Sequence, residues 1–380
     1  MKLAFYIIGA SDFQDMMPVI VEAGMRGHSV KVFVIDCLFK KRQLYYYKKT
    51  EILDFINGAL EANNVKHTSV NFYGQNDKNT FETHFDDYNP DYVFLQGLNH
   101  KFPVWIPKAG KAKVVNFAWH MDSAQSLVRG KYRVFLNVLK REDDARYYND
   151  NIPEWLGLSD QEKKQICKIN SMYFGNLRVD HLNYKSYFHS LEKEKIPSDK
   201  KICFILEAHL KKGKDNYDKV VSFVDKLIKH LHELDYFVIW KKREKGYPKE
   251  NWNSPLDFTN LKPDHVIEKD LNFPTSIAYI PFIADSCFVI NTSSVYWDVK
   301  KVNKNSVMLQ TKNSGPREEK YINLIYRPGD SHVSFDLLSM QGEDRFKVLD
   351  SWLSKGKNIN TDYIENNNGS KNLLDYLEKV

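Results

Sequence analysis

The stretch from residue 274 to residue 310, PTSIAYIPFIADSCFVINTSSVYWDVKKVNKNSVMLQ, decides the fold of this chain. Its pattern predicts a short amphipathic segment at 276–283, a buried strand at 287–290, a helix from Val295 and a second strand at 306–309. A strand that leads through a short turn into a helix and then into another strand is typical of a parallel α/β sheet.

The turn inside this stretch is polar and predicts an anion-binding site. Serine and threonine cap helices, and the free N–H groups and positive dipole end of the helix face whatever lies beyond the sheet. Phosphate is the anion usually bound at such a helix start. An ordinary capped helix without a ligand fits the same turn. The turn consists of Asn291, Thr292, Ser293 and Ser294.

Composition limits the class of protein. The 380 residues, of which 42% are hydrophobic and 27% charged, are enough for two globular domains. A net charge of +6 suits an anionic substrate or loose contact with an anionic membrane face. The basic residues are too scattered to predict nucleic-acid binding.

The cysteines and the N-terminus predict the compartment. The four cysteines lie far apart without a Cys-x-x-Cys pair, which favours buried free thiols in a reducing compartment. The opening residues, MKLAFYIIGASDF, indicate a buried strand rather than a signal peptide, and no apolar run reaches the roughly 18 residues of a membrane span. These patterns predict a cytoplasmic protein, with peripheral contact at the inner membrane face and the oligomeric state left open.

Strands and helices are predicted to alternate along the first half of the chain. Strands are expected at 3–8, 28–35, 68–73, 92–95, 114–117 and 133–138, and helices at 16–25, 50–62 and 154–169. The first strand, helix and strand form a βαβ unit, which opens a parallel doubly wound sheet. No Gly-x-Gly-x-x-Gly follows the first strand, which counts against a nicotinamide-dependent dehydrogenase.

A second α/β series follows the charged segment 185–201. Its predicted elements are strands at 202–206, 236–240, 287–290 and 307–309 and a long helix at 217–234. The tail is predicted to form helices at 345–353 and 372–378, separated by a polar spacer. Two open sheets that face each other are the expected architecture, with ligands beyond the carboxyl ends of the strands, in the cleft between the domains.

His120 is the candidate general base. It follows closely after strand 114–117, and the unperturbed pKa of histidine, about 6.5, suits proton transfer near neutral pH. Asp122 or Asp12 is the candidate that orients its ring. A structural histidine bonded to the backbone fits the same position.

Charged residues also follow two strands of the second series. Lys241 and Arg243 lie in a basic run after strand 236–240 and suit phosphate oxygens. Glu207 and His209 follow the first strand of that series and suit sugar hydroxyls or protonation of a leaving group. Solvated loop charges fit both places as well.

The motifs of three common enzyme classes are absent from the sequence. The chain contains no Asp-x-Asp pair, no His-Glu-x-x-His, no Gly-Lys-Ser/Thr loop and no Gly-x-Ser-x-Gly. It therefore lacks the usual mark of a metal-dependent site, an ATPase or a serine hydrolase, and neither a metal nor a cofactor is expected.

Four segments occur together in one order. They are AGMRGHSV at 23–30, Trp119 with His120, FGNLRVD at 174–180, and the segment 283–298. This set resembles the GT-B glycosyltransferase superfamily, and most closely the branch of CDP-glycerol glycerophosphotransferases and capsular polysaccharide transferases. That branch typically has Ala-Asp, a strand and Thr-Asp-Tyr-Ser-Ser-x-x-x-Asp. Here the matching residues are Ala284-Asp285 and, after the strand, NTSSVYWD, which ends at Asp298.

The resemblance implies two facing Rossmann-like domains, an acceptor domain at 1–190 and a nucleotide-donor domain at 191–345, with a helical tail at 346–380 that packs back on the first. It implies a metal-independent transfer of a sugar or polyol phosphate from a nucleotide-activated donor to a glycan or lipid-linked acceptor. The donor would lie against the residues from Asn291 to Ser294, with Asp298 near a ribose or sugar hydroxyl.

Two alternatives remain open at this point. A nucleotide-sugar 2-epimerase has the same fold. The second alternative is a non-catalytic glycan-binding or scaffold protein of this fold. It stays open because Met121 replaces the family's glycine and because the family's histidine after Trp240 is missing.

Overall fold

A computed structural model describes residues 1–35, 47–66, 68–74, 76–96, 112–118, 134–142, 144, 152, 157–188, 196–207, 217–242, 262–290, 295–310, 334–336 and 344–380. The chain divides into two compact units, Met1–Tyr187 together with Asn367–Val380, and Phe188–Asn366. Each unit is built around its own parallel sheet.

The first unit holds a doubly wound sheet. Its elements are β1 (Lys2–Ile7), α1 (Ala10–Met25), β2 (Ser29–Ile35), α2 (Lys49–Ala62), β3 (Thr68–Tyr73), α3 (Lys78–Tyr88), β4 (Tyr92–Gln96), β5 (Lys113–Phe117), β6 (Val134–Val138), α4 (Asp160–Ile166), β7 (Ser171–Met172) and α5 (Leu177–Asp180), with β8 (Tyr187–Phe188) at the border of the unit. The strand order is β3-β2-β1-β4-β5-β6-β7, and the paired strands run parallel. The order reverses between β1 and β4.

The second unit repeats this design. Its elements are β9 (Lys201–Glu207), α6 (Tyr217–Glu233), β10 (Tyr236–Lys241), β11 (His265–Ile267), β12 (Asn272–Phe273), α7 (Ser276–Ile283), β13 (Ser286–Ile290), α8 (Val295–Val302), β14 (Ser306–Gln310), β15 (Ser334–Asp336), α9 (Asp344–Leu353) and α10 (Thr361–Asn366). The parallel sheet has the order β11-β10-β9-β13-β14-β15. A final helix, α11 (Gly369–Lys379), belongs to the first unit.

The apolar runs of the sequence become strands because both faces of each sheet are covered. All of β1 except Lys2 is buried, and Phe5 stacks on Phe94 of β4 with ring centroids 4.3 Å apart. In the second unit, α6 places Val220, Val224 and further apolar residues at helical spacing over one face of the sheet. Continuous apolar strands of this kind are typical of parallel sheets, and the predicted α/β class is confirmed.

Two predicted helix starts are wrong. Helix α1 begins at Ala10 rather than at 16, because the Asp12 carboxylate accepts the N–H groups of Ile8 (2.6 Å) and Gly9 (2.8 Å) and turns an apparent loop into a helix start. The helix expected at 154–169 begins only at Asp160. There Ser159 and Glu162 form a capping box, with the Ser159 N–H 2.8 Å from the Glu162 carboxylate.

The tail also differs from its prediction. The polar spacer contains helix α10, and residues 344–366 belong to the second unit, so that only Asn367–Val380 joins the first. Helices α3 and α10 and strand β11 were not predicted. Within the described ranges, no helix is both long enough and apolar enough to cross a membrane.

Candidate functional site

The carboxyl end of β9 marks the reversal of strand order in the second sheet. From β9 the chain proceeds to β10 and β11 on one side, and later to β13, β14 and β15 on the other. Glu207, the last residue of β9, pairs in register with Ile290, the last residue of β13. Ligands of open α/β sheets bind beyond such a reversal point. The sheet therefore places Glu207 where a ligand is expected.

Glu207 is a buried carboxylate with a fixed orientation. Its side chain accepts a hydrogen bond from the Trp240 indole N–H at 3.2 Å, and the residue is only 5% exposed. Trp240 is fully buried in the core between the sheet and α6. A buried carboxylate needs hydrogen-bond donors, and the tryptophan of the neighbouring strand supplies one.

Lys241 lies on the opposite face of the sheet from Glu207. It pairs in register with Leu206, and side chains alternate between faces along a strand, so that Lys241 and Glu207 point to different sides. Lys241 is 5% exposed, and its Nζ lies 3.9 Å from Oδ2 of Asp270. Glu207 and Lys241, which are both predicted to bind the donor, therefore lie on opposite faces of the sheet at its carboxyl end.

Asp270 connects Lys241 to the start of helix α7. Its carboxylate accepts the backbone N–H of Ser276 at 2.9 Å, the Ser276 hydroxyl at 2.6 Å and the Asn272 amide at 3.2 Å. A carboxylate at a helix N-terminus is stabilised by the helix dipole. This buried cluster was not predicted, because Asp270 lies six residues before Ser276, outside the spacing of a helix cap.

Strand β13 and helix α8 follow each other along the chain in the predicted order. Strand β13 ends at Ile290 and α8 starts at Val295. Asp298 lies in the first turn of α8. The remaining predicted site residues lie outside the described residues, and their roles stay predictions. They are His120, Asp122, His209, Arg243, Asn291, Thr292, Ser293 and Ser294.

A second charged cluster lies in the first unit, close to the ends of strands β4 and β6. The buried Asp15 carboxylate is 2.9 Å from Nε of Arg178 and 2.8 Å from Nζ of Lys140, and it also accepts a hydrogen bond from the Gln96 amide. Sequence reasoning missed it because Arg178 lies 163 residues from Asp15. Asp15 ties α1 to β4, to the residues after β6 and to α5.

Asp15 predicts a pH dependence of the stability of the first unit. Burial alone would raise the pKa of Asp15, but Arg178 and Lys140 outweigh it and lower the pKa to about 2. Since the unfolded carboxyl titrates near pH 4, the ionised group stabilises the fold above about pH 4, and this contribution is lost as the pH falls through about 2. We expect about 2 kcal/mol of acid-dependent stability. Urea titrations between about pH 6 and 2.5 should show a flatter profile for Asp15→Asn, and identical profiles would contradict this.

The segment 174–180, which carries part of the family resemblance, forms hydrogen bonds with the residues at the start of helix α11. Asn176 and Asn367 exchange two hydrogen bonds of 2.8 and 2.9 Å, and the Asp180 carboxylate accepts the N–H of Ser370 at 2.7 Å. Gly175 has a φ of +136°, and a Cβ placed there would lie 2.8 Å from the Gly369 Cα. Only glycine fits this close approach.

The fold resembles two solved structures over their whole length. The spinosyn forosaminyltransferase SpnP has a TM-score of 0.53 at 12% sequence identity, covering 100% of this chain and 98% of that protein. The UDP-GlcNAc 2-epimerase from Neisseria meningitidis, bound to UDP-GlcNAc, has a TM-score of 0.53 at 15% identity, covering 100% of both chains. No protein-family model matches the sequence, and no curated protein matches it.

These likenesses establish the fold alone, since identity is low. Together with the two parallel sheets they show an α/β protein of the GT-B type, with two Rossmann-like domains. The predicted fold class is therefore confirmed. Transferases and epimerases share this architecture, so that the choice between them depends on the site.

Proposed function

We propose that the chain is a metal-independent glycosyltransferase that moves a sugar or polyol phosphate from a nucleotide-activated donor to a glycan or lipid-linked acceptor. The observation that carries the proposal is the end of the second sheet. There the buried Glu207 ends β9, where the strand order reverses beside the unit from β13 to α8, and the buried Lys241 ends the neighbouring strand β10. Two of the structures with the same fold, a forosaminyltransferase and an epimerase bound to UDP-GlcNAc, support a nucleotide-sugar ligand.

In this proposal the second unit holds the donor. The residues from Asn291 to Ser294 bind its phosphates at the start of α8 and take up charge on the leaving nucleotide, which is electrostatic stabilisation by groups already in place. Lys241 and Arg243 add positive charge. Asp298 accepts a hydrogen bond from a ribose or sugar hydroxyl.

The acceptor is activated by His120. As a general base it removes the proton of the acceptor hydroxyl, whose oxygen bonds to the transferred group. If that group is a sugar, the bond between its anomeric carbon and the phosphate oxygen breaks and the nucleotide leaves; if it is a polyol phosphate, the P–O bond of the donor's pyrophosphate breaks and a nucleoside monophosphate leaves. Asp122 orients the ring. Glu207 is fixed by Trp240 and keeps the end of β9 in place, and His209 binds a sugar hydroxyl of the donor.

A donor-turnover assay tests the proposal. The full chain is incubated with CDP-glycerol and with UDP-, GDP-, CDP- and CMP-sugars, with and without a glycan acceptor, and both nucleotide and sugar products are identified. We expect nucleotide release that depends on acceptor and falls in Ser294→Ala, whereas Ser222→Ala on the exposed face of α6 leaves it unchanged. Conversion of a UDP-sugar to its 2-epimer would indicate the epimerase instead. Binding without any turnover would indicate the scaffold.

A further inference from the structure

Two buried asparagines fix the ends of three helices of the second unit to one another. The side-chain amide of Asn303 donates to the carbonyl oxygens of Pro281 (3.1 Å) and Ala284 (2.8 Å), at the end of α7. The amide of Asn305 donates to the carbonyl of Gly356 (3.0 Å), just after α9. Since both asparagines follow α8 directly, the carboxyl ends of α7, α8 and α9 form one defined surface.

This surface is rich in lysine. The Lys304 N–H donates to the carbonyl of Asn358 (2.8 Å) and the Asn360 N–H to that of Val302 (2.9 Å), so that the segments after α8 and α9 run side by side. Helix α10 adds two exposed carboxylates, Asp362 and Glu365. What we call the lysine surface consists of Lys300, Lys301, Lys304, Lys355 and Lys357.

Aromatic side chains lie among these lysines. The distances from Nζ to the ring centroid are 3.4 Å for Lys355 and Trp352, 4.7 Å for Lys301 and Tyr363, and 5.7 Å for Lys357 and Phe282. Phe282 is 38% exposed, although it is a large apolar residue. Lysine next to tryptophan, tyrosine and phenylalanine is typical of protein surfaces that lie in the headgroup region of a membrane.

The positive charge of the surface is available to an external anion. Four of the five lysines are exposed, and none of these four forms an ion pair with a carboxylate in the described part of the chain. Lysine near the carboxyl end of a helix also stabilises the helix dipole, which explains one or two such residues. It does not explain five lysines from two segments, one of which lies over the ring of an exposed phenylalanine.

We propose that the lysine surface binds the anionic face of a phospholipid bilayer, with the ammonium groups on lipid phosphates and Phe282 in the interface. Exposed lysines beside tryptophan and tyrosine rings and an exposed phenylalanine are the combination that the interface of an anionic bilayer binds, which is why we choose a bilayer over an acidic protein or a nucleic acid. The lysine surface lies at the edge of the sheet where β13 and β14 begin, at Ser286 and Ser306. Glu207 and Lys241 lie at the opposite edge, where β9 and β10 end. A membrane bound here leaves the candidate donor site open, and the proposal does not depend on the transfer reaction.

Vesicle sedimentation tests this surface. The full chain should sediment with phosphatidylcholine vesicles that contain about 30% phosphatidylglycerol, and not with phosphatidylcholine alone, at about 0.15 M salt. Each lysine near an anionic membrane contributes about fivefold in affinity. The triple variant Lys301→Gln, Lys304→Gln, Lys357→Gln should therefore bind about a hundredfold more weakly, and Phe282→Ser should also weaken binding.

The matched control has the same net charge. Lys219→Gln, Lys226→Gln, Lys229→Gln removes three exposed lysines from α6 in the same unit, and it should keep most of the binding. Equal losses in both triple variants would overturn the proposal, since net charge alone would then explain the binding. Failure to bind anionic vesicles while binding immobilised polyglutamate would overturn it in favour of an acidic protein partner.

Discussion

Asp15→Ala is expected to lower the free energy of unfolding of the first unit by about 3–5 kcal/mol. The substitution leaves Arg178 and Lys140 without the carboxylate that accepts from both at 2.9 and 2.8 Å. Removing one member of a buried ion pair costs more than the pair contributes, because the remaining charge stays out of water. The Gln96 amide also loses its acceptor.

Hydrogen exchange locates this effect in the chain. Amides of β1 and β4 should exchange faster in Asp15→Ala, and those of β9 and β13 should not, because these strands belong to separate sheets. Asp87→Ala is the matched control, since Asp87 is exposed on α3, and it should change stability by no more than about 0.5 kcal/mol. Unchanged protection of β1 in Asp15→Ala would show that the cluster does not hold the unit together.

His120→Ala is expected to lower kcat for transfer by about 10²–10⁴-fold while donor affinity stays the same. The acceptor hydroxyl has a high pKa and needs a base when it attacks, whereas donor binding depends on residues of the second unit. Single-turnover kinetics with a saturating donor and acceptor would measure the loss. A flatter acid limb of the pH–rate profile should accompany it, because the titrating base is gone.

His232→Ala provides the control for this experiment. His232 is a half-exposed histidine near the end of α6, paired with Asp264 at 3.0 Å, and its removal should leave kcat unchanged. Full transfer activity in His120→Ala would remove the base assignment but would leave the donor site untouched. Loss of donor binding in the same variant would point to a structural role of His120.

The elements that could be predicted from sequence are those decided by local pattern. Strand β1 could be predicted from its continuous apolar run, and helix α6 from the helical spacing of Val220, Val224 and Leu227. A strand that is buried on both faces and an amphipathic helix differ in the period of their apolar residues. Helix α3 was missed because its sequence, KNTFETHFDDY, is polar and buries only Phe81 and Phe85. Two residues at a spacing of four are too few to show a period.

The side-chain clusters could not be predicted, because they join distant parts of the chain. Asp15 meets Arg178 across 163 residues, and Asn176 meets Asn367 across 191. Sequence did indicate Glu207 and Lys241 as strand-end residues. That their side chains lie on opposite faces of the sheet depends on the register between β9 and β10, in which Lys241 pairs with Leu206 rather than with Glu207. A shift of one residue would have put both on the same face.

Calorimetric titration with nucleotides tests the central claim most directly. We expect at least one of CMP, CDP, UDP and GDP to bind the full chain, and the double variant Ser293→Ala, Ser294→Ala to bind it about 10–100-fold more weakly, since hydrogen bonds to a charged phosphate are lost. Ser222→Ala should bind like the wild type. If none of the four nucleotides bound at millimolar concentration, the proposed donor site and the transfer reaction built on it would be wrong.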